Sequence, residues 1–248
     1  MPAFVFLGGF VQIIGMKRWI CLYVLVLAPT SAPAQKPGVI QKVSVRLEPS
    51  IPDSAGPREL FGDCPLEGLA RGVRRQESNR EKNRTTQPHA ADIDSSATIS
   101  AIMEPGFDAD RWSEARGASI VGYVVEVKRG SRETVNCEAT DPALMDTHIA
   151  LVANANDQRA AARMIVEVTP RWRAFLAQRG EDWSTERLHE TLLHHWVRIT
   201  GWLFWDFEHT SASAHTARRR GAAWRATAWE IHPITAITIC VPAAPYRP

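Results

Sequence analysis

Three pairs of residues two positions apart set acids beside histidines or beside each other: Asp146 and His148, Asp206 and Glu208, Glu230 and His232. Residues two apart on a strand point to the same side. If the strands that carry them are neighbours, two imidazoles and several carboxylates meet on one outward face, joined by Glu167 and Arg171 from a fourth strand. Imidazole and carboxylate together suit a divalent metal ion, which lowers the pKa of a bound water and equips it for phosphodiester hydrolysis. In that scheme His148, His232 and Asp146 are the metal-ligand candidates, and Glu230, Glu167 and Arg171 the catalytic ones. Without a metal, a histidine beside a carboxylate can act as a general base. The plainer alternative is the solvated polar side that every amphipathic strand has, with surface ion pairs worth about 0–1 kcal/mol.

A second set of residues suits ligand binding. Five of the 9 tryptophans, Trp196, Trp202, Trp205, Trp224 and Trp229, crowd the last part of the chain. Trp205 and Trp229 fall on apolar strand faces and belong to a core. Trp202 and Trp224 are the candidates for an exposed stacking platform, which would serve bases or sugar rings alike. Arg218, Arg219 and Arg225 lie close to Trp224 and could contact phosphate. An earlier basic run, Arg74 to Arg84, is interleaved with Glu77 and Glu81 and is a weaker footprint.

The elements that must position these residues are short strands. SIVGYVVEV (119–127) alternates with a period of two, as do THIAL (147–151), MIVEVT (164–169), VRITGWLFWDFEH (197–209) and the segment around Trp229 and Ile231. Glu133–Glu138 reads as a further short strand, and Gly201 marks a bend or bulge. Trp172–Arg179 and Thr185–His195 read as helices, the second capped by Ser184. The expected fold is mainly β with one or two helices: a small OB-like β-barrel over 118–241, an irregular extension over 61–117 and a tail at 242–248. A β-sandwich is the alternative.

Residues 16–35 combine Lys17 and Arg18, an apolar run of about ten residues and Ala32-Pro33-Ala34 before Gln35, the pattern of a secretory signal peptide cleaved near Ala34. The run is short of the ~20 residues that span a bilayer. Residues 1–15 read as an over-long start, and if they are translated an uncleaved membrane anchor is the alternative. Residues 35–60, rich in proline, read as a linker.

Cleavage removes two of the 29 basic residues and none of the 27 acidic ones, so the remainder is electrically balanced. A balanced chain exerts no long-range field on nucleic acid or anionic lipid. Cys21 leaves as well, and Cys64, Cys137 and Cys240 then allow one disulfide in any of its pairings, in a compartment where disulfides persist. The absence of a C-x-x-C pair disfavours a thiolate zinc site.

The runs GYVVEVKRGSRETVNCEATDP, DTHIALV, VEVTPRWR, VRITGWLFWDFEH and WEIHPIT resemble a group of exported bacterial proteins with an OB-like barrel and no assigned activity. SNREKNRT fits the L-N-x-x-K-N-R run of that group, with Ser78 in place of leucine. The resemblance covers 61–240. It implies one domain with an N-terminal extension, and Cys137, Asp146, His148, Glu167, Arg171, His209, Glu230 and His232 as the matched positions. No nucleophile elbow, phosphate loop or HExxH motif accompanies them. The expected function is a binding module for nucleic acid or an envelope glycan, and the alternative is a metal-dependent, nuclease-like hydrolase.

Overall fold

The computed structural model describes residues 64–217 and 223–240. The expected signal peptide, the linker, Arg218, Arg219 and the tail lie outside them. Five strands, Gly117–Arg129 (β1), Thr147–Val152 (β2), Met164–Val168 (β3), Trp196–Trp205 (β4) and Trp229–Ile239 (β5), close into a barrel in the order β1-β2-β3-β5-β4. All neighbours are antiparallel except β3 and β5, which pair in parallel at Val166 and Ile231. Closure excludes the sandwich alternative, since no free sheet edge is left.

β1 makes closure geometrically feasible by serving both sides. Its first half pairs with β4 from Gly117 to Tyr123, its second with β2 from Tyr123 to Arg129, and the register shifts between Val124 and Glu126. An extra residue there bends the strand and raises its twist. β4 bends at Gly201, where the register against β5 also shifts. A Cβ on Gly201 would come within 2.2 Å of the Pro233 carbonyl oxygen, so the close strand approach requires glycine.

Ile149, Leu151, Val166, Val168, Val197, Ile199, Leu203 and Ile231 point inward in keeping with the alternation of their strands, and all are buried. On β1 the phase is the reverse of the one the sequence suggests: Val121, Tyr123 and Val125 lie half-buried on the outer side, while Ile120, Val124 and, past the register shift, Val127 fill the core. Between β3 and β4 the chain forms helices Pro170–Ala177 (α3) and Thr185–Leu192 (α4). Thr169 caps α3 by accepting from the Trp172 amide, with Pro170 at the first helical position; Ser184 caps α4 by accepting from the Arg187 amide. Leu188 and Leu192 of α4 join the core. Arg171 is therefore on a helix and not on the polar side of a strand.

The extension packs against the barrel. It contains helices Val73–Lys82 (α1) and Ile99–Ile102 (α2), and Ile99 and Ile102 reach the core. Residues 133–138, expected as a strand, instead hold a 3-10 turn at Thr134–Asn136 that ends on Cys137 in a left-handed conformation (φ 52°). Asp206 and Glu208 lie beyond the end of β4, at the start of another 3-10 segment (Phe207–Ala212). Among the described residues no helix is long and apolar enough to cross a membrane.

Candidate functional site

On β2, β3 and β5 the inward residues are Ile149, Val166 and Ile231. Their neighbours His148, Glu167, Glu230 and His232 must then project from the outer surface. His148 is paired with Glu167 across β2 and β3, and β3 pairs with β5, so the three strands are adjacent. The period-two pattern thus brings the acid and histidine residues together.

That outer surface is not wet. Asp146 and Glu230 are each 1% exposed, Glu167 4% and His232 0%. The cover is α1 together with the loop between β1 and β2. Asn79 donates to the Glu67 carbonyl (2.9 Å) and to Thr134 Oγ1 (3.2 Å), and Asn83 to the carbonyls of Leu66 (2.8 Å) and Val135 (3.1 Å). Lys82 reaches Glu133 at 3.1 Å. A Cys64–Cys137 disulfide ties the start of the extension to the same loop. The solvated-strand alternative is corrected accordingly: the polar side is a covered polar layer between the barrel and its extension, with His148 and Glu133 half-buried at its edge.

Within the layer, His148 Nε2 lies 3.3 Å from Glu167 Oε1 and 4.0 Å from Glu133 Oε1. His232 Nδ1 lies 3.3 Å from Glu230 Oε2 and 3.4 Å from Glu167 Oε2. The His232–Glu230 contact is a hydrogen bond, whereas both contacts to Glu167 are at ion-pair distance but not in hydrogen-bond geometry. Asp146 Oδ2 accepts from Asn136 Nδ2 at 3.2 Å. Arg225 clamps Glu230 (2.7 Å) and Asp206 (3.2 Å), and His209 bonds the same Asp206 oxygen.

Burial sets the protonation of these groups, because a low-dielectric site disfavours the charged form. It pushes His148 down to about 4 and His232 to about 3, so both imidazoles are neutral. It pushes Asp146 up to about 7, helped by the Glu133 charge, and Glu167 well above the usual carboxylate range, helped by Glu230 and Glu133. Glu230 rises to about 7 through burial, against the opposing pull of Arg225. Burial acts against ionisation at Asp206 too, but His209, Lys82 and Arg225 hold it well below the ordinary value. Burial alone would neutralise Lys82, yet Glu133, Glu167, Asp206 and Glu230 keep it firmly charged.

Neutral imidazoles beside carboxylates are metal ligands by type, and Asp146, Glu167 and His232 each offer a donor atom within 4.8 Å of the others. General-base work by Glu230 or Glu167 needs a substrate within about 3 Å, directly or through one water. Their burial leaves no room for one. Lys82, Glu133 and Asn136 complete the layer and were not legible as site residues. Lys82 reads as part of a basic run and Glu133 as part of a strand. The signal that places Lys82 here is SNREKNRT, whose Asn79 and Asn83 make the covering hydrogen bonds.

The remaining candidates lie apart. Arg171 is buried at the far side of the disulfide segment, where its guanidinium donates to the carbonyls of Cys64 (2.9 Å) and Pro65 (3.0 Å); its part is to anchor that segment. Arg225 is 1% exposed and committed to acids, which corrects its reading as a phosphate contact. Trp202 donates from Nε1 to the Thr86 carbonyl, and the Arg84 guanidinium lies 5.0 Å from its ring centre, so the extension packs against it and leaves it half-buried. Trp224 is 38% exposed and meets His209 edge-on. Among the described residues no ring contact joins the two tryptophans into one platform.

The concave surface is elsewhere. A groove of about 730 Å3 runs between the β2–β3 loop (Ala153, Asn154, Asp157, Arg159, Ala161, Ala162), the extension (Met103, Pro105, Gly106) and the segment before β5 (Ala214, His215, Ala217, Ala226). His215 is fixed by a 2.7 Å hydrogen bond to the buried Asp108, which also accepts from Thr227. Comparison with protein-family models gives no match to this chain, and no curated protein matches it.

Proposed function

We propose that this chain is a non-enzymatic binding module that takes a neutral glycan in the groove between the β2–β3 loop and the extension. The observation that carries the reading is the character of that groove. Its lining is largely small and apolar, with few polar groups: Asn154, Asp157, Arg159 and His215. Such a mixture is what a small-ligand site needs. The Arg159 guanidinium is already bonded to Asp157 at 2.6 Å, so the groove offers donors and acceptors without surplus positive charge. A polyanion requires unpaired cations along its path. The buried Arg225 is taken out of play as a nucleic-acid contact, and Trp202 is half-buried against the extension. The hydrolase reading loses support from the same burial, since a catalytic metal keeps a position open to water and substrate.

The test is a titration of the isotope-labelled chain with soluble cell-wall oligosaccharides and, separately, with single-stranded oligonucleotides, followed by amide shifts. Shifts confined to Ala153–Ala162 and His215 with the glycan, weakened about tenfold by Asn154→Ala, are the expected result. Salt-sensitive oligonucleotide binding with no glycan response would overturn the reading.

A further inference from the structure

The covered polar layer behind β2, β3 and β5 has more acid than its cations cover, and its surplus is local. Lys82 is paired with Glu133, and Arg225 with Glu230 and Asp206. Among the described residues, no lysine or arginine forms an ion pair with Asp146 or Glu167. Arg173 acts on Asp146 from α3, but its hydrogen bonds go to the carbonyls of Ala143 and Met145 and to Thr147 Oγ1. Several polar atoms of the layer have no hydrogen-bond partner, among them Asp146 Oδ1, His148 Nε2, Glu167 Oε2 and His232 Nε2; the residues Asp146 and His232 are 1% and 0% exposed. Native proteins rarely leave such atoms unsatisfied.

From this geometry we infer that Asp146, Glu167 and His232 form a structural site for one divalent transition-metal ion, Zn2+ in the first place, with His148 as the fourth ligand. Donor atoms of the first three already lie within 4.8 Å of one another. Bonds of about 2.0–2.2 Å in a tetrahedron set ligand atoms about 3.5 Å apart, so a modest contraction completes the site. His148 Nε2 is 3.3 Å from Glu167 Oε1, close to that spacing, but it stands outside the group of three, so its ring must move further than theirs to join.

The outer groups are in place as well. His232 Nδ1 is hydrogen-bonded to Glu230 Oε2 and also faces Glu167 Oε2 at 3.4 Å, while Nε2 has no hydrogen-bond partner; with Nε2 on the ion, Glu230 would supply the carboxylate that usually supports a metal-bound imidazole. Asn136 holds the other Asp146 oxygen. Two nitrogen and two oxygen donors favour Zn2+ over Ca2+ or Mg2+, which prefer all-oxygen shells of six or more.

Four protein ligands fill a tetrahedral shell, so the role of the ion is structural. The ion joins the segment before β2 to β3 and β5, and the extension is its lid. This inference does not depend on the groove or its ligand.

The test uses the full chain, unfolded in chelator, freed of metal and refolded with Zn2+, Mn2+, Ca2+ or Mg2+ in turn. Metal content is read by mass spectrometry, stability by thermal melting and geometry by the visible spectrum of a Co2+ form. Expected are about one equivalent of Zn2+, a melting temperature raised by about 5–10 °C and an intense tetrahedral Co2+ spectrum. Glu167→Gln and His232→Gln should each weaken binding at least about tenfold, while Glu133→Gln keeps the metal. A refolded wild-type chain with native circular dichroism that holds less than about 0.1 equivalent of any ion would overturn the inference. Full retention in both site variants, or a preference for Ca2+ or Mg2+, would overturn it too. The wild-type measurement decides the matter even if a variant fails to refold.

Discussion

Glu81, near the end of α1, is the acid whose behaviour is simplest to isolate. Partial burial and a hydrogen bond with Glu114 raise it to about 7, against the pull of Arg84. Its folded value lies above its unfolded one, so the folded chain holds a proton there that the unfolded chain has released. That contribution is complete below about pH 4.5 and is lost as the pH rises to about 7. Glu81→Gln should therefore match the wild type at acid pH and exceed it at pH 8. The gain expected there, after discounting for partial exposure, is about 1 kcal/mol. Urea unfolding of both proteins at pH 4.5 and pH 8 measures it. A variant equally affected at both values would show that the two carboxyl groups do not share a proton. Asp206 is the contrasting case: burial opposes its charge, and its neighbours restore it. The deeper of the two acids is the one held ionised, so the partners and not the depth set the direction.

At the scale of elements, Gly201 on β4 offers the sharpest test of the barrel. A methyl group there would meet the Pro233 carbonyl oxygen at 2.2 Å and Ile231 Cγ2 at 2.5 Å. Backbone cannot yield as a side-chain tip does, so Gly201→Ala should cost about 2–3 kcal/mol in denaturant unfolding. An unchanged midpoint would contradict the close pairing of β4 and β5. This residue also shows what was legible beforehand. A glycine breaking the apolar side of an alternating run announces a bend, and the alternation of Ile149, Val166 and Ile231 announces which side faces inward.

Three readings failed for identifiable physical reasons. Arg171 continues the alternation of β3, but Thr169-Pro170 is a helix-start signal and it prevailed. Residues 133–138 alternate only briefly and turn at Cys137, whose left-handed backbone no hydrophobic pattern reveals. The burial of Glu230 and His232 was illegible because VRRQESNREK has no apolar stripe. α1 docks through Asn79, Lys82 and Asn83, which hydrogen-bond where a hydrophobic reading looks for packing.

For the molecule as a whole, the disulfide decides how firmly the extension and the barrel count as one body. Cys64 and Cys137 are separated by 73 residues, and closing a loop of that length removes about 4 kcal/mol of unfolded-chain entropy in the chain-entropy account. Replacing both by serine should lower global stability by about 2–4 kcal/mol. Mild proteolysis of the variant should cut first within 66–84, ahead of any strand. First cleavage in a barrel strand would mean that the extension holds its place without the bridge.

The docking of α1 has one more consequence, in the order in which the chain becomes available. Its partners Thr134, Glu133 and Val135 lie 55, 51 and 52 residues further on, so the helix has nothing to grip until they exist. A segment with exposed apolar surface would be a hazard during that wait. α1 offers only Val73 in a run of charged and amide side chains, so it can remain hydrated until the barrel closes. The lid that looks poorly made by the standards of a hydrophobic helix is well made for arriving first and docking last.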